Sequence, residues 1–423
     1  MPDLTIRDVH AWEALDSRGR PTVGCRVRLG GGGTGRVVVP SGASTGAYEA
    51  RELRDGGSRY QGWGVQRAVR SVNDSYAPAV LGSSAADRTA VDAQLEFLDG
   101  RRDLSRLGAN AALAVSLAVT VAAADGCRTP LWQTLDDSGK LPLIPMPMVN
   151  IFSGGAHAGR AVDIQDFLAV PVGATSFAQA IEWVARVRCS CAELLDAAGG
   201  WSALVADEGG LSARLPGNED ALALVSAAIE RAGFRPLDEM AIAIDVAASQ
   251  LVDSGQIVLS GPPETLTPAE WVDRVAGWAQ RYPLISIEDV VGEDDWESWR
   301  RASDRLGHLQ LLGDDLFATD NQRLQRGIDD HVANAVLVKV NQAGTVSRAE
   351  HVVRQAKQAG YATVVSARSG DTEDHWLADL AVGWRAGQIK VGSTMRSERT
   401  AKWNRLLEIE SSTNTQFASL NRP

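Results

Sequence analysis

Hydrophobic and polar positions along the chain fall into two textures. Up to about residue 140, strand-like alternation (TVGCRVRL at 22–29, GRVVVP at 35–40) is mixed with alanine-rich helical stretches such as NAALAVSLAVTVAAA at 110–124. The loop PSGASTGAYEARELRDGG at 40–57 interrupts them. From about residue 141 one unit repeats: a short apolar run, a polar or acidic turn, then an amphipathic helical stretch. The runs are MAIAIDVAAS, PLISIEDV, LQLLGDDL, NAVLVKVNQAG, YATVVSARSG and GQIKVGS. Continuous apolar runs alternating with helices predict a parallel sheet covered on both faces. So many units in succession favour a closed (β/α)8 TIM-like barrel over an open doubly wound sheet. No G-x-G-x-x-G follows an early strand, as a dinucleotide-binding sheet would require. The predicted fold is α/β, with a mixed strand-and-helix part over 1–140 and a barrel domain over 141–423.

The polar tips of those runs are Asp245, Glu288, Asp314, Lys339, Arg368 and Lys390, separated by 43, 26, 25, 29 and 22 residues. After one longer first step, this is the pitch of a strand–helix unit. Barrel enzymes build their sites at the C-terminal ends of the strands, where these tips fall. Three converging carboxylates, Asp245, Glu288 and Asp314, would repel one another unless a hard cation sat between them, and oxygen-only ligands favour Mg²⁺. Taken singly, each could be a helix N-cap instead; three at consecutive strand ends favour the metal.

Composition narrows the partners. A formal charge of −11 argues against non-specific nucleic-acid binding. No run approaches 18 apolar residues, and charges interrupt MPDLTIRDVHAWEALDSRGRP where a signal peptide needs its apolar stretch, so a cytoplasmic location without a membrane span is expected. The cysteines, Cys25, Cys127, Cys189 and Cys191, form no zinc-like pair of pairs and are expected to be reduced and mostly buried. Lysine occurs at only five positions against 37 arginines, yet two of the five, Lys339 and Lys390, end predicted strands. An amine can lose its proton when its pKa is depressed, whereas a guanidinium effectively cannot. A lysine beside a divalent cation and a second lysine is therefore a candidate general base with a lowered pKa, and the other could hold a substrate carboxylate. Both could also be simple counter-ions.

Other residues acquire weight only from that context. Asp207 and Glu208 sit in the turn ALVADEGG, where Glu208 is a candidate general acid or an exposed acidic group. MVNIFSGGAHAGRAVDIQDF carries His157, Gln165 and Asp166 around a glycine-rich loop, and Ser44 lies in the flexible PSGASTG. In SARSGDTED, Arg368 could hold an anion with Ser369 and backbone N–H groups, or be a surface charge in an ordinary turn.

Together these residues resemble the enolase family over essentially the whole chain. DSRGRPTV, VPSGASTG, EARELRDGG, PMVNIFSGGAHAG, ADEGG, DVAAS, SIEDV, GDDLFATD, KVNQAGT, SARSGDTED and RSERTAKWN stand in enolase order and spacing. The resemblance implies an N-terminal α+β domain over 1–140, an enolase-type barrel, a homodimer or higher homo-oligomer, and a Lys base working with one or two Mg²⁺ ions. Carried over motif by motif, Asp245, Glu288 and Asp314 would hold the first Mg²⁺. Ser44 would reach a second Mg²⁺ bound through the substrate phosphate. Lys339 would remove the proton next to the substrate carboxylate, Lys390 would hold that carboxylate as it gains charge, and Glu208 would assist the leaving hydroxyl. Arg368 and Ser369 would grip the phosphate of a small anionic phosphate or phosphonate substrate, with His157, Gln165 and Asp166 among the substrate-binding groups.

The chain departs from the family pattern at the site itself. Ala367 stands where enolases have histidine in Ser-His-Arg-Ser-Gly, and Ala206-Asp207-Glu208 replaces Gly-Asp-Glu. Gln165-Asp166 replaces Gln-Glu, Ser153-Gly154-Gly155 replaces Asn-Gly-Gly, and Arg160 follows His157. Space at Ala367 and a cation at Arg160 imply a specialised paralogue, similar to carboxyphosphonoenolpyruvate synthase of phosphonate natural-product pathways. The alternatives are a phosphopyruvate hydratase with an unusual site and a non-catalytic enolase-fold binding protein.

Overall fold

A computed structural model describes residues 2–43 and 46–420. The N-terminal part opens with an antiparallel sheet, β1 (Ile6–Leu15), β2 (Pro21–Leu29) and β3 (Thr34–Val38), followed by helices α1 (Arg88–Asp99) and α2 (Ala109–Gly126). By length and composition α2 is the one described helix apolar enough to cross a membrane, with a mean hydropathy of 1.4. Its surroundings account for that composition. On one side β3 comes so close that a Cβ on Gly35 would lie 2.0 Å from the Ala118 carbonyl oxygen. On another, Ser116 Oγ accepts a 3.0 Å hydrogen bond from the Val346 N–H, where the barrel helix α8 (Val346–Gln358) begins. A helix covered on opposite sides has no need of a polar stripe.

The C-terminal part is a closed eight-stranded barrel. Its strands are β4 (Met146–Ser153), β5 (Asp166–Val170), β6 (Ala241–Asp245), β7 (Leu284–Glu288), β8 (Gln310–Gly313), β9 (Ala335–Val338), β10 (Ala362–Ser366) and β11 (Gln388–Gly392). Six of the eight neighbour pairs are parallel, but β5 runs antiparallel to both β4 and β6. The expected closed barrel is present, and its one exception to a parallel sheet lies here. The glycine-rich stretch between β4 and β5 carries only a short helical turn at Gly155–Ala158, and the chain folds straight back to pair antiparallel with β4. Two helices, α3 (Phe177–Ala197) and α4 (Asn218–Arg231), then follow β5 before β6 begins, and α5 (Pro268–Arg281), α6 (Trp296–Leu306) and α7 (Asn321–Asp329) precede β7, β8 and β9.

This reversal places chemistry. In a parallel strand the last residue reaches the catalytic rim; in β5 it is the first. Asp166 therefore pairs with Ser153 and with Asp245, and Asp245 with Glu288, along one rim. Strand alternation does the rest. Ala241 and Ala243, Ala335 and Leu337, and Val364 pack together in the barrel lumen, whereas Ile242, Ile244, Val336, Val338 and Val365 join the shell under the helices. Continuing the lumen phase by two residues gives Asp245 and Lys339 at the mouth, and by four gives Arg368.

The cysteines need a smaller correction: all four are free thiols, but only Cys25 and Cys191 are buried, and Cys127 and Cys189 are exposed. Because the lumen residues hold the strand ends in register, Leu337→Ala, at a fully buried site, is expected to lower unfolding free energy by about 2–5 kcal/mol. The midpoint of urea unfolding followed by far-UV circular dichroism measures this.

Candidate active site at the barrel mouth

One small, polar cleft collects most of the expected residues. His157, Gln165, Glu208, Asp245, Asp314, Lys339, Ala367, Arg368, Ser369 and Lys390 all line it. Its free volume is about 30 Å³. The cleft is narrow because its cations lie down on its anions. Lys390 Nζ donates to Asp245 Oδ2 and to both Glu288 oxygens, each at 2.8 Å. Lys339 Nζ donates to Asp314 Oδ2.

The electrostatics follow from burial. Burial and the neighbouring Asp245 push the Glu288 carboxyl well above its ordinary range, while Lys390 opposes them. Burial by itself would lower the Lys390 and Lys339 pKa values, but the carboxylates win and both are raised, Lys390 by Asp245 and Glu288 and Lys339 by Asp314. The expected lowering of the lysine pKa is thus reversed in the ion-paired arrangement. Besides burial, the nearby charges of Arg368 and Lys390 also pull Lys339 downward.

The carboxylates fit a hard divalent cation by donor type and charge. Asp289, Asp314 and Asp315 form one group whose oxygens lie within 4.8 Å of one another, and His157, Asp166 and Glu208 form a second. Asp245 and Glu288 stand beside the first group with Lys390 between them. Asp289 accepts from the Asp314 and Asp315 N–H groups at 2.9 and 2.7 Å. Burial and Asp314 lift the Asp315 carboxyl to about 7. Such crowding of buried anions is what a divalent cation would relieve.

On the opposite wall, His157 Nδ1 lies 3.1 Å from Asp166 Oδ2, and its Nε2 lies 3.9 Å from Glu208 Oε1. Asp166 is fully buried and also accepts from Asn150 Nδ2 and, at 3.0 Å, from Ser153 Oγ. Two departures from the family pattern, Ser153 and Asp166, therefore touch. Gln165 Nε2 donates to Asp245 Oδ2 at 3.1 Å and accepts on Oε1 from Gln250 at 3.0 Å.

The turn that carries Arg368 and Ser369 is built by both halves of the chain. Ser41 and Gly370 exchange backbone hydrogen bonds of 2.7 and 3.0 Å. A Cβ on Gly370 would lie 2.3 Å from Asp16 Oδ2 and 2.6 Å from the Ser41 carbonyl oxygen, so only glycine fits. Ser369 Oγ accepts from the Ala43 N–H at 2.7 Å. The buried Arg399 donates to the carbonyls of Arg368 and Ser369 at 2.7 Å and of Val391 at 2.9 Å, fixing the ends of β10 and β11 together.

Two expected residues stand apart. Arg160 is exposed and does not line the cleft; its guanidinium reaches the Gln250 carbonyl on the rim at 3.5 Å. Ser44 lies outside the described residues. Conversely, Asp289, Asp315 and Gln250 line the cleft without having been singled out. The first two stood inside the quoted motifs SIEDV and GDDLFATD, next to the residues chosen there, but sequence spacing does not show that both members of an acidic pair turn inward.

Comparison with known families covers nearly the whole chain. Residues 142–421 match the family model described as the enolase C-terminal TIM barrel domain, and residues 6–135 match the enolase N-terminal domain.

The His157 contacts generate a pH prediction. Burial pulls its pKa down, but Asp166 and Glu208 raise it to about 9 against an ordinary 6.5. Stabilisation from a raised pKa is complete below the unfolded value and is lost as pH climbs through the folded one. Unfolding free energy is therefore expected to fall between about pH 6.5 and 9 by up to roughly 3 kcal/mol from this group. In His157→Gln that part of the slope is expected to vanish; urea unfolding across the pH range reads it, and an unchanged slope would count against the assignment.

Proposed function

Because the chain belongs to the enolase family, we propose that it is a Mg²⁺-dependent enzyme forming an enolpyruvate phosphate or phosphonate from a 2-phosphoglycerate-like substrate, as a specialised paralogue. The observation that carries the specialisation is Ala367. It is 6% exposed and lines the cleft beside Arg368, so a methyl group stands where the family pattern has an imidazole, while the ionic groups around it are kept.

Asp245, Glu288 and Asp314 would hold the metal, which when bound supplies positive charge to offset the charge developing on the substrate carboxylate. Lys339 takes the proton from the carbon next to that carboxylate. Its pKa is held up by Asp314; with the Asp314 charge engaged elsewhere, Arg368 and Lys390 push it down towards a working base. Lys390, reached by two strand-end carboxylates, turns its ammonium to the substrate carboxylate. Glu208 protonates the leaving oxygen, and His157, carrying its proton near neutral pH, keeps a positive charge at that side of the cleft. Arg368 and Ser369 hold the phosphoryl or phosphonyl group.

Carboxyphosphonoenolpyruvate synthesis suits the extra room, since its product resembles phosphoenolpyruvate with an additional carboxyl on phosphorus. Ala367 supports this activity; Arg160, tied to the rim, does not add to it. A second reading, phosphopyruvate hydratase, is favoured by the retention of Lys339, Lys390, Glu208 and the three strand-end carboxylates in one site.

Absorbance assays with 2-phosphoglycerate and Mg²⁺ separate the two. The paralogue is expected to turn this substrate over only weakly and to gain activity in Ala367→His; robust wild-type turnover would establish the hydratase instead. With the true substrate, Lys339→Ala is expected to lower kcat roughly 10²–10⁴-fold, and chelation by EDTA to abolish turnover. Calorimetric titration is expected to show Mg²⁺ binding that Asp245→Asn removes. No heat with the wild type would point to a non-catalytic protein.

A further inference from the structure

A second, larger cavity of about 790 Å³ lies beside the cleft, between the N-terminal segment around Ala47–Arg51 and the barrel. Glu49 lines this cavity and Arg368 lines the cleft, so their contact is part of the wall between the two. Both side chains are almost fully buried, at 6% and 4% exposure. Glu49 Oε2 accepts from Arg368 Nη1 at 2.8 Å and Oε1 from Nη2 at 3.2 Å, a two-pronged carboxylate–guanidinium pair. Asn341 Oδ1 accepts a further 3.0 Å bond from Nη1.

The same carboxylate does more than neutralise the arginine. Glu49 Oε1 also accepts from the Gly46 N–H at 3.0 Å, and from Gln342 Nε2 at 3.4 Å. That Gln342 amide donates to Asp314 Oδ1 at 3.0 Å, and its oxygen is fixed by Thr319 Oγ1 at 2.6 Å. One buried carboxylate therefore ties together the backbone of the N-terminal loop, the anion-holding arginine and, through Gln342, a strand-end carboxylate on the far wall.

Resting on the proposed role of Arg368 as the phosphoryl or phosphonyl grip, we infer that Glu49 is a positioning residue for substrate binding: it holds the Arg368 guanidinium from the cavity side and so sets its aim into the cleft. A guanidinium presents its donors in one plane, and a two-pronged partner on one edge fixes how that plane meets an anion on the other side. Glu49 touches no substrate on this account; it acts through Arg368.

A bystander counter-ion and a positioning residue predict opposite signs. If Glu49 only compensated charge, removing its charge would strengthen the pull of Arg368 on an anion. If it sets the aim, removing the charge loosens the guanidinium and weakens binding. The test uses the full chain with saturating Mg²⁺ and inorganic phosphate as the probe, in calorimetry on wild type, Glu49→Gln, Glu49→Asp and Arg368→Ala. Glu49→Gln is expected to weaken phosphate binding about tenfold, to raise KM more than it lowers kcat, and to leave Mg²⁺ affinity unchanged; Glu49→Asp, which keeps the charge, is expected to recover part of the loss. Circular dichroism melting confirms that each variant is folded at the assay temperature. Phosphate binding as tight as or tighter than wild type in a folded Glu49→Gln would overturn the inference alone. Wild-type phosphate binding that is absent, or unchanged by Arg368→Ala, would overturn the role given to Arg368 and this inference with it.

Discussion

The barrel mouth is organised around a single difficulty: too many carboxylates in too little water. Asp245, Glu288, Asp289, Asp314 and Asp315 are brought to one rim by adjacent strands β6, β7 and β8 and the turns after them, and four of the five are almost fully buried. An unpaired buried ion costs several kcal/mol even after relaxation. Two lysines cannot balance five carboxylates, and burial together with the neighbouring carboxylates raises the Glu288, Asp289 and Asp315 carboxyls above their ordinary range. The identity of the cation matters as well. A compact ammonium fits between Asp245 and Glu288 and directs three donors at 2.8 Å to their oxygens, which a planar guanidinium could not do in the same space. That explains why an arginine-biased chain keeps lysine there.

Much of this was legible in the sequence because a barrel turns linear spacing into a ring. Apolar runs with polar tips at regular separations gave both the fold class and the rim residues, and strand alternation carries Asp245 and Lys339 inward together. Two features escaped for physical reasons. The reversal of β5 left no mark in the pattern, because a short apolar strand reads the same in either direction. The direction of the lysine pKa depends on which charges actually touch, and residue spacing does not report contacts. Glu49 was hidden more deeply still: it meets Arg368 across 319 positions of sequence, and in its own neighbourhood it is merely an acidic residue at the end of a glycine- and serine-rich loop.

The departures from the family pattern are also clearer as a set than singly. An aspartate in place of a glutamate shortens the reach by one methylene, and Asp166 sits deep, completely buried. The hydroxyl of Ser153 and the amide of Asn150 both hold it there, which leaves its second oxygen for His157. Substitution at 153 and substitution at 166 belong to one local solution. Ala367, across the cleft, has no such partner among the altered positions, which is why it bears more directly on what the cleft admits.

The strongly apolar helix α2 has a consequence for how the chain comes into being. During synthesis residues 109–126 emerge well before the barrel does, with β2 and β3 already available to cover one flank. The flank that meets α8 must wait for more than two hundred further residues. Until then the nascent N-terminal segment shows an uncovered greasy surface, the kind that chaperones hold and that self-associates when unattended. The two halves are therefore not modules that could be traded between proteins at will. The second half covers part of the first one's interior, so the burial of that flank depends on both.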